Sequence, residues 1–144
     1  MRQWLAAFSK ALAASDDAAL EALFLPDAHW RDLLAFTWQV KTVSGARKIV
    51  DLLTRHGKGA AGFEIDRQRT PPRKVTRAGS EVIEALFRFE TARLRGHGVL
   101  RLIPKRSGSG ACKAWTLLTA LDEIKGFEES VGSRRPRGEA YSRD

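Results

Sequence analysis

The chain has 144 residues, 43% of them hydrophobic and 29% charged, which is typical of a single globular domain with its own core. Its single cysteine, Cys112, excludes an internal disulfide framework and favours a reducing, cytoplasmic location. No apolar run is long enough to span a bilayer, so we expect no membrane segment.

The formal net charge of +8 is concentrated in the body of the chain. Its densest part is the basic cluster, which contains no acidic residue and consists of Arg67, Arg69, Arg73, Lys74 and Arg77. Single-stranded nucleic acid binding also needs exposed aromatic rings between the charges, and this cluster has none. The pattern therefore favours a solvated hairpin face or a patch for an anionic partner over nucleic acid.

Helical periodicity marks the first third of the chain. Apolar residues at helical spacing predict a first helix over 2–14. Ser15 offers an N-cap for a second, short helix, and Pro26 is expected to end it. A third helix is predicted to begin at Ser44 and to end at Gly57.

The rest of the chain has the period of strands. A short strand is predicted at 29–32 and a second extended piece at 36–43. Further strands are predicted at 63–70, 74–77, 82–93, 99–103 and 113–124. Helices followed by consecutive strands indicate an α+β fold, in which three helices pack on a curved, mainly antiparallel sheet. Residues 1–125 form this domain, and 126–144, where the apolar signal fades, are an extended tail or truncated linker.

The stretch 27–45 contains the best candidate site. Desolvation between Trp30 and Trp38 would raise the pKa of Asp32 and suit it to act as a general base. His29 is a weaker candidate, because in a strand it faces away from Asp32. The alternative is that Asp32 caps the turn at residues 33 and 34.

The remaining candidates are apolar. The predicted lining of a pocket comprises Trp30, Trp38, Phe87, Phe89, Trp115 and Leu117, and ordinary core packing is the alternative. Arg101 and Glu90, on neighbouring predicted strands, are candidates for a cross-strand ion pair.

Two familiar motifs fail on context or spacing. Residues 57–62, GKGAAG, match GxGxxG but follow a helix and precede a strand, the reverse of a dinucleotide-binding turn. The three histidines have no partner at metal-ligand spacing, so no metal is expected.

The order of elements resembles the nuclear transport factor 2-like cone fold, which is also called cystatin-like and includes ketosteroid isomerase and small polyketide cyclases. More narrowly, AALFLPDAHWRDLLAFTW, TVSG, FRFET and KAWTLLTALDEIKGFEE resemble the N-terminal domain of a group of bacterial and fungal flavin-containing monooxygenases. These strings span most of residues 18–129.

The resemblance implies a cone-shaped domain, often a homodimer through the sheet, that accompanies a flavin monooxygenase module. Flavin and NADPH would belong to that module, since this chain has no dinucleotide-binding motif in the right context. We therefore expect an accessory cone domain without turnover of its own, which binds a small apolar ligand or packs against the module. The alternative is a free-standing isomerase, dehydratase or cyclase that uses Asp32. The only tyrosine, Tyr141, lies in the tail, so the phenol donor of ketosteroid isomerase has no counterpart.

Overall fold

A computed structural model describes residues 1–104 and 112–128 of the chain. The described helices are α1 (Arg2–Ala14), α2 (Asp17–Ala22) and α3 (Ala46–His56). The described strands are β1 (Phe24–Leu33), β2 (Val40–Ser44), β3 (Ala61–Ile65), β4 (Arg73–Arg77), β5 (Ser80–Glu90), β6 (Leu94–Ile103) and β7 (Lys113–Ile124).

The strands form one curved sheet in the order β2-β1-β7-β6-β5-β3, and β4 pairs with β5 beside β3. Only the β1–β7 pair is parallel among the described strands, and the other pairs are antiparallel. The predicted α+β architecture, three helices on a curved and mainly antiparallel sheet, is confirmed.

The helices cover one face of the sheet, which we call the inner face; the opposite one is the outer face. Alternation along β6 shows the division, because every second residue from Leu94 to Leu102 is buried and those between are more exposed. From the helices, α1 contributes Phe8 and Leu12 to the core, and α3 contributes Ile49 and Leu53. The apolar residues that recur every second position in the strands and about every 3.6 positions in the helices thus pack together in a single core.

Two glycines in β6 let aromatic rings lie against the sheet. A Cβ at Gly96 would overlap the ring of Phe89, and one at Gly98 would overlap the ring of Phe87. Both glycines are buried and stand opposite these residues in the β5–β6 register. The absence of a side chain makes room for two of the largest residues of the core.

The second helix is shorter than predicted. It ends at Ala22, not at Pro26, which lies inside β1. Pro26 is tolerated there because the β1–β7 register shifts between Phe24 and His29, where the ladder does not need its missing N–H.

The predicted helix caps were also wrong. Ser15 ends α1 in a left-handed conformation with φ 51°, and Asp16 caps α2 by accepting a hydrogen bond from Ala19 N at 3.0 Å. Ser44 closes β2, and Gly45, with φ 97°, begins α3 without a side-chain cap. Serine and aspartate are comparable caps, so which of two neighbours serves depends on the backbone.

The strand boundaries agree only in part, because β1 begins at Phe24 and not at 29, β3 ends at Ile65 and not at 70, and β6 begins at Leu94 and not at 99. The third helix ends before Gly57, and β3 begins at Ala61, so the GKGAAG segment follows a helix and runs into the first two residues of a strand. The extended piece predicted at 36–43 is a loop up to residue 39 followed by β2. Of the tail predicted at 126–144, residues 129–144 lie outside the described residues.

Candidate functional site

Asp32 lies on the inner face of β1 with 1% of its surface exposed. Its carboxylate accepts hydrogen bonds from the backbone N–H groups of Phe36 (3.0 and 3.2 Å) and Thr37 (2.7 Å). It also accepts from the hydroxyls of Thr37 (2.8 Å) and Thr119 (2.6 Å). A carboxylate has about four acceptor positions, so these donors saturate it. Accepting a substrate proton would require one of these bonds to break.

A buried relay connects Asp32 to the neighbouring tryptophan. The indole N–H of Trp30 donates to Thr119 Oγ1 at 2.9 Å, and the same hydroxyl donates to Asp32 Oδ1. The β1–β7 pairing places Asp32 opposite Thr119 and thereby fixes the relay. Every polar atom of this buried group has a partner, which is how a low-dielectric interior tolerates it.

The loop after β1, residues 34–39, is shaped by these bonds. Leu34 and Trp38 both adopt left-handed backbone conformations, with φ 66° and 57°. Such conformations are unfavourable for bulky residues and persist where surrounding contacts over-determine them. Asp32 supplies those contacts at Phe36 and Thr37. Its capping of the loop therefore lies slightly further along the chain than the turn predicted at 33 and 34.

Aromatic side chains occupy the space between the helices and the sheet. Consecutive ring centroids lie 4.9 to 5.6 Å apart from Trp4 to Phe8, and then from Phe63 through Phe89 and Phe36 to Trp30. Phe8 and Phe63 join the two runs edge to face at 5.1 Å. Trp30, Phe87, Phe89 and Leu117, which were predicted to line a pocket or form the core, are all at most 3% exposed.

Trp38 differs from the buried Trp30 in its exposure. Its side chain is 48% exposed and borders a recess of about 240 Å³, the mouth recess. The buried ring of Phe36 forms part of the wall, and His56 and Arg93 bring polar groups to its edge. Trp30 and Trp38 therefore do not form one wall around Asp32.

Among the described residues, the large exposed hydrophobic side chains gather at one end of the sheet. They form the mouth patch, which consists of Leu34, Trp38, Val40, Ile124 and Phe127. The loop at 34–39 follows the end of β1, and Leu33 pairs with both Val40 and Ala120, which places the end of β7 nearby. Lys125 N donates to Arg93 O at 2.8 Å, and Arg93 borders the same recess as Trp38.

No family model matches the chain, and no curated protein does. Solved structures do match. One is a protein of unknown function from Mycobacterium tuberculosis, with TM-score 0.56 and 11% identity over 87% of this chain and 71% of that one. Another is nuclear transport factor 2 from Cryptosporidium parvum, with TM-score 0.53 and 16% identity over 84% of this chain and 90% of that one. A third, "Rd1NTF2_04 with long sheet", has TM-score 0.55 and 15% identity over 83% and 98%.

This chain has the nuclear transport factor 2-like cone fold. At these identities the likeness establishes the fold alone. The part of the cone that the structure describes contains no helix long and apolar enough to cross a membrane. Within the same residues, no group of three or more His, Cys, Asp or Glu side chains is placed to hold a metal ion.

The remaining predicted residues, His29 and Trp115, do not belong to the buried core. His29 lies on the outer face, as strand alternation predicts, and its Nδ1 forms a hydrogen bond with Ser44 Oγ at 2.7 Å. Trp115 is half-buried at the bulge where the β6–β7 register shifts. Their roles in ligand binding or catalysis remain predictions.

The predicted ion pair between Arg101 and Glu90 has the wrong register. Arg101 stands opposite Glu84 and donates to it at 2.8 Å, whereas Glu90 stands opposite Arg95 and pairs with Lys125 at 3.0 Å. The predicted strands 82–93 and 99–103 overlap β5 and β6, but the turn between them lies at residues 91–93, inside the first predicted strand, and this turn sets the pairing.

Glu84 is the centre of a charged group on the outer face. Arg77 and Arg101 donate to its carboxylate at 3.1 and 2.8 Å, and Arg73 lies 3.7 Å away. The hydrogen bond from Arg77 is the largest influence on the pKa of Glu84, which is lowered to about 2. Three guanidinium groups share one carboxylate, so the group carries a surplus of positive charge.

The basic cluster is largely ion-paired within the cone. Arg73 and Arg77 approach Glu84, Lys74 lies 3.7 Å from Glu81, and Arg69 lies 3.6 Å from Asp66. The acids are on β5 and at the end of β3, so the sequence of the cluster alone did not reveal them. This pairing fits the predicted solvated hairpin face.

Sequence reasoning missed Thr119 and the loop donors that hold Asp32. Thr119 is 87 residues from Asp32 along the chain, and only the parallel β1–β7 pairing brings them together. One local signal existed, because aspartate side chains commonly accept hydrogen bonds from backbone N–H groups of a following loop.

Proposed function

We propose that this chain is an accessory cone domain without turnover of its own and that it packs through the mouth patch against a flavin-containing monooxygenase module. The mouth patch is the observation that carries the proposal. Exposed apolar side chains concentrated at one site commonly mark an interaction surface.

The distribution of exposure supports this assignment. Trp38 is 48% exposed and Phe127 83%, whereas the described large hydrophobic side chains outside the mouth patch are buried or half-buried. The strained loop presents Leu34 and Trp38 in a fixed conformation, which lowers the entropy cost of binding. Bulky residues in left-handed conformations cost conformational energy, and a docking role for Leu34 and Trp38 gives a reason for that cost.

The resemblance supports the identity of the partner. Its more specific parts are WRDLLAFTW and KAWTLLTAL. The first contains Asp32, Leu34 and Trp38, and the longer string KAWTLLTALDEIKGFEE contains Ile124 and Phe127. The residues that carry the likeness to monooxygenase N-terminal domains therefore include four of the five members of the mouth patch.

Binding to a purified monooxygenase module that lacks its own cone domain would test the proposal. Calorimetric titration should give saturable binding, and Trp38→Ser should weaken it by about tenfold or more, because exposed tryptophans that become buried are typical hot spots. Leu86→Ala on the outer face is the matched control and should leave the affinity unchanged. No binding, or equal loss in both variants, would contradict the proposal.

A small apolar ligand in the mouth recess is the second candidate. The buried ring of Phe36 beside the exposed indole of Trp38 favours it, since ligand recesses combine apolar walls with a few polar groups. Saturable quenching of Trp38 fluorescence by a panel of small aromatic compounds, lost in Trp38→Phe, would support this role. Quenching that is linear in ligand concentration would count against it.

A homodimer through the sheet, which the resemblance also implies, remains a prediction. The outer face offers a cross-strand row of apolar residues, Leu86, Val99 and Leu118, that could contribute to such a contact. Sedimentation of the purified chain across a hundredfold concentration range would show it as a rise from one to two chain masses.

A further inference from the structure

The outer face contains a second recess, of about 250 Å³, whose lining shares no residue with the mouth patch. Its lining includes His29, Arg31, Thr42, Val99, Arg101 and Leu118. We call it the outer recess. The β-sheet register explains its composition, because two cross-strand rows run through it. One row contains Arg101, Thr116 and His29, and the next contains Val99, Leu118 and Arg31.

We propose that the outer recess binds a small organic anion, a carboxylate with an apolar body. Arg31 and Arg101 would hold the charged head, and Val99 and Leu118 would contact the body. A ligand of this class needs both features in one recess, and the two neighbouring rows supply them side by side.

The charge of the recess favours an anion. Arg31 makes no ion pair with any residue between 1 and 104 or 112 and 128. Arg101 is bound to Glu84, but that carboxylate is shared with Arg73 and Arg77. The head group would therefore meet uncompensated guanidinium charge, and arginine forms strong, bidentate bonds with carboxylates.

Hydroxyl groups and apolar side chains of the recess can contact the remaining parts of such a ligand. Thr42 and Thr116 border the recess and can donate to a second carboxylate oxygen. Val99 and Leu118 are half-buried, so part of their surface is open to contact. The volume corresponds to roughly eight water molecules at liquid density, which suits a short aliphatic or aromatic acid.

Hexanoate is the probe, and the methyl NMR signals of Val99 and Leu118 report its position. We expect saturable shifts of these signals in the intact chain. Each methylene added from propanoate to hexanoate should strengthen binding by up to about fourfold as it is buried. Neutral 1-hexanol should bind at least about tenfold more weakly, because it lacks the charge that the arginines recognise.

Matched variants separate this site from the rest of the molecule. Arg31→Gln should weaken hexanoate binding about tenfold or more, since it removes a charge-assisted hydrogen bond. Arg55→Gln removes the same charge from α3, where Arg55 is ion-paired with Asp51, and should have no effect. Trp38→Ser should also leave binding unchanged, which keeps this inference distinct from the mouth patch and the mouth recess.

Three results would overturn the inference. Equal binding by Arg31→Gln and the unaltered chain would show that the head group lies elsewhere. Inorganic phosphate binding as tightly as hexanoate would remove the role of the apolar wall. Absence of binding by a chain that sediments as a dimer would mean that a second copy covers the recess.

Discussion

Replacement of Asp32 tests whether this residue shapes the loop or performs chemistry. Asp32→Ala would leave unpaired the N–H groups of Phe36 and Thr37 and the hydroxyl of Thr119 that now donate to it. Each such group costs about 1–3 kcal/mol when buried, and some will find water, so we expect a loss of about 4 kcal/mol in the free energy of unfolding. Asp32→Asn should cost about 2 kcal/mol, because its amide oxygen can still accept from the loop.

Urea unfolding followed by tryptophan fluorescence measures these losses. For a domain of this size, 4 kcal/mol corresponds to a fall in Tm of about 12 °C. Asp16→Ala is the matched control, since it removes one carboxylate that caps a backbone N–H at an exposed helix start, and should cost about 1 kcal/mol.

The order Asp32→Ala, Asp32→Asn, Asp16→Ala from largest to smallest loss is the signature of a loop-holding carboxylate. A loss below about 1 kcal/mol for Asp32→Ala would refute the reasoning, because a carboxylate with five satisfied contacts cannot be removed at so little cost. Unchanged stability together with the loss of a measurable turnover would instead support the isomerase alternative.

Three further substitutions test the core and the outer face. Gly98→Ala should destabilise the cone by at least about 2 kcal/mol in urea unfolding, since its methyl group would overlap Phe87. Thr119→Val should cost about 1–3 kcal/mol and shift the emission of Trp30, whose indole N–H loses its acceptor. The pKa of Glu84 is lowered from 4.5 to about 2, so its contribution to stability is present above pH 4.5 and declines as the pH falls towards 2. Glu84→Gln should flatten this part of a stability-against-pH curve, and an unchanged slope would show that the ion pairs do not operate in solution.

Much of the fold could be predicted because the apolar periodicity is strong. The third helix and the strand at 113–124 were placed within about two residues, since each has a complete amphipathic pattern and a clear end signal. The error at Pro26 has a different origin. Proline predicts the end of a helix, but it is also allowed in a strand where the ladder is interrupted, and only the position of β7 decides between these outcomes.

The candidate site was less predictable, because the role of Asp32 depends on hydrogen-bond donors that are distant in the sequence. A buried aspartate beside a tryptophan is compatible with a general base and with a structural carboxylate, and the difference lies in the donors around it. Thr119 reaches Asp32 through a parallel strand pair, which leaves no local trace in the sequence. Trp38 was assigned to the same wall as Trp30 because both lie in one short stretch beside ionisable groups, and its left-handed φ could not be anticipated for a tryptophan.

The outer recess could not be predicted from the sequence either. Arg31 and Arg101 are far apart in the sequence, and the strand order β1-β7-β6 brings them to the same recess. The charge of each was evident from the sequence. Their common position depends on the register of two strand pairs, which is set by turns and bulges.

Hydrogen–deuterium exchange of the chain with and without a purified flavin monooxygenase module tests the central claim most directly. The account predicts that the module slows exchange in two segments, 34–40 and 124–127, and leaves the outer-face strand β6 unchanged. Protection confined to β6 or to the basic cluster would contradict the assignment of the mouth patch as the docking surface. Unchanged exchange in 34–40 and 124–127 with the module in large excess would contradict it as well.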